Sequence, residues 1–67
     1  MNVVINGFET SLSECHDAHG NYLLIEIPDN APKSFSNIGG QMIGTHLIKE
    51  IGYHRTDGKI THLKAYY

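Results

Sequence analysis

The short loop Thr-Asp-Gly at residues 56–58 separates two stretches that both have the character of β-strands. A glycine that ends such a loop is typical of a three-residue hairpin turn, in which this glycine adopts a left-handed backbone conformation. Pairing across the loop places Arg55 opposite Lys59 and Ile51 opposite Leu63. The loop therefore predicts an antiparallel hairpin in the second half of the chain.

This register divides the side chains of the second hairpin between two faces. His54 and His62 become a diagonal pair on one face, and Lys64 and Tyr66 share that face with them. Glu50 lies opposite Lys64, and an opposite-charge pair across two strands stabilises an antiparallel sheet. The charge pairing therefore favours this register.

The segment before the loop also fits helical spacing. Its apolar positions recur as in an amphipathic helix, at Met42, Ile43, His46, Leu47 and Ile51. Two glycines in the segment, at positions 44 and 52, each cost a helix about 1 kcal/mol relative to alanine. A strand is therefore favoured, and a helix over residues 36–51 is the alternative, which would make the fold class α+β.

The first half of the chain predicts another hairpin. Residues 3–14 begin apolar and then alternate, with Gly7 marking a bulge or bend, and residues 22–28 form an apolar strand that ends at a proline. A turn at residues 17–20 places Leu12 opposite Ile25 and puts apolar side chains of both strands on one face.

The connector at residues 28–40 is rich in proline, asparagine, serine and glycine, which is typical of turns. We expect Phe35 and Ile38 to reach the core from it, and a short helical turn fits within it. The sequence thus predicts a mainly β fold: two antiparallel β-hairpins joined by this connector, in a single small domain that spans residues 1–67.

The shortage of core residues predicts self-association. A chain of 67 residues buries little apolar surface, and its one cysteine, Cys15, excludes an internal disulfide. Ile48, Tyr66 and Tyr67 find no place on a core that occupies only one face of the sheet. We therefore expect a homo-oligomer, with a symmetric dimer as its simplest form.

The net charge of −2 hides an asymmetry along the chain. Residues 1–44 contain five acidic residues against one lysine, whereas residues 45–67 contain four cationic residues against two acidic ones. The second hairpin is therefore the more basic part, which suits an anionic or acidic partner.

Catalytic and metal sites are not predicted. The sequence has no nucleophile elbow, no phosphate-binding loop and no paired carboxylates, so we expect no catalytic residue, no cofactor and no enzymatic activity. Cys15, His16 and His19 lie close together, but a structural zinc site usually needs a second ligand pair at recognisable spacing, so we expect no metal.

The expected cellular location follows from signals that the sequence lacks. The N-terminus has no basic segment followed by an apolar run, and no stretch has the length of a membrane span. One cysteine suits a reducing compartment. We expect a complete small microbial or viral protein that is cytoplasmic and does not contact the membrane.

The function that these features favour is protein binding by the second hairpin. Tyrosine is enriched at protein interfaces, and small proteins of this kind often bind and inhibit a larger one. The alternative is binding of a nucleotide or nucleic acid by the same cationic and aromatic side chains. The predicted contact residues are Tyr53, His54, Arg55, Lys59, His62, Lys64, Tyr66 and Tyr67.

Overall fold

The computed structural model describes all residues from 1 to 67, and 60% of them lie in strands. The strands are β1 (Asn2–Ile5), β2 (Phe8–Asp17), β3 (Gly20–Glu26), β4 (Met42–Ile43), β5 (His46–Leu47), β6 (Glu50–Thr56) and β7 (Lys59–Tyr66). One 3₁₀ turn, Lys33–Ser36, is the only helical element. The predicted mainly β fold is confirmed, and the alternative helix over residues 36–51 is wrong. No helix has the length and apolar character to cross a membrane.

The strands form two antiparallel sheets. The main sheet has five strands in the order β1-β2-β3-β7-β6, and β4 pairs only with β5. Strand β3 is therefore central. A tight turn joins it to its neighbour β2, whereas its other neighbour, β7, follows only after the connector and strands β4, β5 and β6. The two hairpins predicted from the sequence are thus joined side by side into one sheet.

The core lies between this sheet and the connector. The sheet contributes Ile5, Leu12, Leu23, Ile25, Leu63 and Ala65, and the chain between β3 and β6 contributes Phe35, Ile38, Ile43 and Ile48. The burial of Phe35 and Ile38 confirms their predicted role. Ile48 is fully buried, so the expectation that it lies on an uncovered face is wrong.

The N-terminal segment forms a hairpin that the sequence analysis missed. Asn6 and Gly7 both have positive φ values, 49° and 87°, and close a two-residue turn between β1 and β2. Asn-Gly is favoured in such turns because both residues tolerate this backbone region. Gly7 is therefore a turn residue. The chain bends there as predicted, but it reverses direction between two strands and does not bulge within one. The Asn6 side chain also donates to Ser34 O at 2.9 Å, which ties this turn to the connector.

The register of the second hairpin differs from the prediction. The loop has two residues, Asp57 and Gly58, with φ values of 52° and 77°, so Lys59 pairs with Thr56 and not with Arg55. A register shift then places one extra residue, Thr61, in β7 between the partners of Arg55 and His54. The predicted three-residue loop is therefore wrong, although its glycine does have the positive φ expected of it.

The shift changes the cross-strand partners as well. Ile51 lies opposite Ala65, Tyr53 opposite Leu63, and Gly52 takes the place opposite Lys64 that was predicted for Glu50. The first hairpin fares better, because Leu12 lies opposite Ile25 as predicted.

Candidate functional site

One face of the main sheet is not covered by the rest of the chain, and we call it the open face. Cross-strand pairing between β3 and β7 sets Tyr22 beside Tyr66, Leu24 beside Lys64 and Glu26 beside His62. The centre of the open face consists of the half-buried residues Tyr22, Leu24, His62, Lys64 and Tyr66. An outward sheet face is ordinarily polar, so the leucine and the two tyrosines among these five residues mark it as a candidate site.

Tyr66 is held in place from three sides. Its ring packs against that of Tyr22 with 5.2 Å between the ring centroids, and its hydroxyl donates to Asp17 Oδ2 at 2.8 Å. The ring also covers Gly52, where a Cβ atom would lie 3.4 Å from Cε2 of Tyr66. Lys64 Nζ lies 5.4 Å from the centroid of the neighbouring Tyr22 ring. The open face is therefore preorganised around two tyrosines.

The bond between Tyr66 and Asp17 changes the ionisation of both groups. The hydrogen bond that Tyr66 donates to Asp17, together with the partial burial of the ring, raises the pKa of Tyr66 to about 12. The same hydrogen bond lowers the pKa of Asp17 below its usual range. Both shifts favour the pair of a neutral phenol and an ionised carboxylate, so the bond is complete at neutral pH.

We expect Tyr66→Phe to lower the thermal midpoint most at neutral pH, because it removes this hydrogen bond. The difference from wild type should shrink in acid as Asp17 becomes protonated, since a lowered pKa stabilises the fold only above that pKa. It should also shrink above about pH 10, where an unfolded tyrosine ionises before the folded Tyr66 does. Thermal unfolding followed by circular dichroism from acid to alkaline pH measures both trends.

Tyr53→Phe is the matched control, because the Tyr53 ring is exposed and its hydroxyl makes no hydrogen bond within the chain. It should follow the wild-type stability at every pH. A Tyr66→Phe profile parallel to that of Tyr53→Phe would show that the bond to Asp17 contributes nothing.

The margins of the open face carry two histidines and two carboxylates. His54 and His62 face each other with 5.6 Å between their ring centroids, and His62 Nδ1 lies 2.9 Å from Thr61 Oγ1. Glu26 and Glu50 are exposed next to the two ends of this face. The carboxylates offset Lys64, so the open face is not a basic surface.

The structure separates the eight predicted contact residues. His54, His62, Lys64 and Tyr66 share the open face. Tyr53 and Tyr67 belong to the opposite face, and Tyr67 stacks on His46 with 3.8 Å between the ring centroids. Arg55 and Lys59 flank the Asp-Gly turn at the far end of the hairpin and do not pair with each other. A single surface therefore cannot use all eight.

Sequence reasoning missed Tyr22 and Leu24, the two β3 residues at the centre of the open face. They alternate with Leu23 and Ile25, which are buried on the other face. The continuous apolar run of residues 22–25 hid this alternation, because a run without polar positions does not show which side chains face outward.

A cleft of about 620 Å³ opens on the other side of the molecule, between β2 and the β4–β5 hairpin. Met1, Leu12, Leu23 and Ile43 make its wall apolar, and His46 Nε2 lies 3.5 Å from the Glu14 carboxylate at its rim. No hydroxyl or thiol is hydrogen-bonded to His46, so a nucleophile activated by this imidazole is missing. The cleft therefore shows no catalytic arrangement.

No group of three or more histidine, cysteine, aspartate or glutamate side chains is placed to hold a metal ion. Cys15 carries a free thiol and lies half-buried at the edge of the open face beside Tyr22. No protein-family model, no curated protein and no solved structure matches this chain significantly.

Proposed function

We propose that the protein is a non-enzymatic binding module that uses the open face to bind, and thereby inhibit, a larger protein in the cytoplasm. The observation that supports this most is the apolar, aromatic centre of a sheet face that no part of the chain covers. Tyr22 and Tyr66 supply large rigid surfaces at low entropic cost, and tyrosine is prominent among the residues that dominate binding energy at interfaces.

The preorganisation of the two rings supports the proposal further. The hydrogen bond to Asp17 and the packing on Gly52 fix Tyr66 before a partner arrives. Binding then loses little side-chain entropy, and a larger part of the contact energy appears as affinity. A sheet face that contacts only solvent would have no need of a tyrosine side chain fixed in this way.

The charges around the centre indicate the chemistry of the partner. Leu24 and the two tyrosine rings suit an apolar patch, and Lys64 suits one acidic or carbonyl group placed above it. The exposed Glu26 and Glu50 suit lysine or arginine side chains around that patch. We therefore propose a protein partner with an apolar patch that is flanked by basic residues.

The alternative, a nucleotide or nucleic acid stacked on the tyrosines, is less well supported. A polyanion on the open face would approach Glu26 and Glu50, and the cationic Arg55 and Lys59 lie at the far end of the hairpin. Binding of a single-stranded oligonucleotide that weakens steeply with salt would favour this alternative.

The test is affinity capture from a lysate of the native host with three forms of the protein. Leu24→Asp places a carboxylate at the centre of the open face, whereas Leu47→Asp makes the same change at an exposed position on β5. The proposal predicts a partner that wild type and Leu47→Asp retain and that Leu24→Asp loses. Circular dichroism first establishes that both variants are folded.

A partner that Leu24→Asp retains as well as wild type does would contradict the proposal. Loss of the partner from Leu47→Asp alone would instead assign binding to the side of the β4–β5 hairpin.

A further inference from the structure

Strand β6 is an edge of the main sheet and has no neighbour on its outer side. Tyr67 N–H donates to Asn21 O at 3.2 Å, towards β3, so the main-chain groups of the adjacent Tyr66 point towards β6. Glu50, its partner, therefore uses its own main-chain groups for β7. By the same alternation, the N–H and C=O groups of Ile51 and Tyr53 point outward and meet no strand.

The side chains along this edge do little to prevent pairing. Edge strands are commonly protected by proline, by lysine or by charged residues in their middle. The middle of β6 is Ile-Gly-Tyr, and Tyr53 is 49% exposed. Charged or ionisable residues flank this apolar centre, Lys49 and Glu50 on one side and His54 and Arg55 on the other, and all four are exposed.

We propose that β6 pairs antiparallel with β6 of a second copy of this chain. The pairing is centred on Gly52, which lies opposite Gly52 of the second copy. Ile51 then lies opposite Tyr53 of the second copy, and Glu50 lies opposite His54 of the second copy. Because the arrangement is symmetric, each of these unlike contacts occurs twice.

The direction of the main-chain groups and the charges select this register. Hydrogen-bonded pairs must join the outward-facing residues, Ile51 and Tyr53, so the register can change only in steps of two residues. One such step sets Tyr53 opposite Tyr53 of the second copy but Ile51 opposite its Arg55. The other sets Ile51 opposite Ile51 of the second copy but Tyr53 opposite its Lys49. The register centred on Gly52 pairs both central apolar residues with apolar partners and sets carboxylate opposite imidazole, although it also sets Lys49 opposite Arg55 of the second copy just outside this centre.

The dimer would join two five-stranded sheets into one, with both open faces on the same side. Tyr53 lies at the edge of the covered face and is 49% exposed in a single chain. The dimer would cover part of this exposed surface. The inference concerns the edge of the sheet and does not rest on the proposed use of the open face.

Sedimentation equilibrium from about 10 µM to about 1 mM, a range in which weak dimers form by mass action, tests the proposal. Wild type should pass from monomer to dimer. His54→Glu sets two carboxylates opposite each other in the dimer and should weaken association by at least about tenfold. Adding Glu50→Lys to His54→Glu recreates an unlike pair with reversed sign and should restore association.

His16→Glu is the matched control, because it makes the same substitution at an exposed position on β2, away from β6. It should associate as wild type does. The proposal is overturned if wild type stays monomeric throughout the range, or if His54→Glu associates as well as wild type. It is also overturned if the double variant, folded by circular dichroism, stays monomeric or if His16→Glu abolishes association.

Discussion

Phe35→Ala should destabilise the protein by about 3–5 kcal/mol, the range for removing a buried phenyl ring from a core. Phe35 is 1% exposed and packs edge-on against Phe8 with 6.0 Å between the ring centroids. A domain of this size has a total stability of about 3–10 kcal/mol, so the variant should be largely unfolded or close to it. Urea unfolding followed by circular dichroism measures the loss.

Met42→Ala is the control for this experiment. Met42 lies in the same stretch between β3 and β6, but 60% of it is exposed, so its truncation should cost no more than about 0.5 kcal/mol. Equal effects of the two substitutions would mean that Phe35 is not buried between the connector and the sheet.

Ile48→Asp should unfold the protein at neutral pH. Ile48 is fully buried, and its main chain is held by hydrogen bonds between Ile48 N and Gln41 O and between Gly40 N and Ile48 O. A carboxylate at this position would be buried without a partner, which costs about 3–5 kcal/mol or more. The measurement is the folded fraction by circular dichroism at neutral pH.

The adjacent residue provides the control for Ile48→Asp. Leu47 is 49% exposed, so Leu47→Asp should leave the folded fraction unchanged. If Ile48→Asp is folded at neutral pH, then position 48 faces outward, as the sequence alone suggested, and its burial in the structure is contradicted.

The parts of the fold that could be predicted were those in which local pattern and turn chemistry agree. The polar and apolar alternation of β2 and the apolar run of β3 meet at a turn that leaves a single sensible register, with Leu12 opposite Ile25. Phe35 is the only aromatic residue in the largely polar connector, so its burial could be expected from its apolar ring.

The second hairpin shows why counting residues from a turn fails. A two-residue loop without a bulge would place Ile51 opposite Lys64, an unfavourable pair, which is why the sequence favoured a three-residue loop. The extra residue in β7, Thr61, restores apolar pairing by moving Ile51 opposite Ala65. Because of the bulge, Ile60 and His62 pair with the adjacent residues Arg55 and His54, so they lie on opposite faces although they are two positions apart. Counting residues from the turn cannot reveal such a bulge, because it is defined only when the two strands are paired.

The candidate site was half predicted for a related reason. The side chains of β7 on the open face followed from alternation within the second hairpin, so Lys64 and Tyr66 were named. Their neighbours Tyr22 and Leu24 come from β3, and the pairing of β3 with β7 joins distant parts of the chain. No local pattern carries that information, and the centre of the open face therefore appeared only in the structure.

The most direct test of the binding proposal asks which side of the sheet a captured partner covers. In a Cys15→Ser background, Glu26→Cys places a thiol on the open face and Met42→Cys places one on the opposite side, both at exposed positions. The rate of thiol alkylation is measured for each variant with and without the partner. We predict that the partner slows alkylation at position 26 and leaves position 42 unchanged. Protection at position 42 alone would contradict the account.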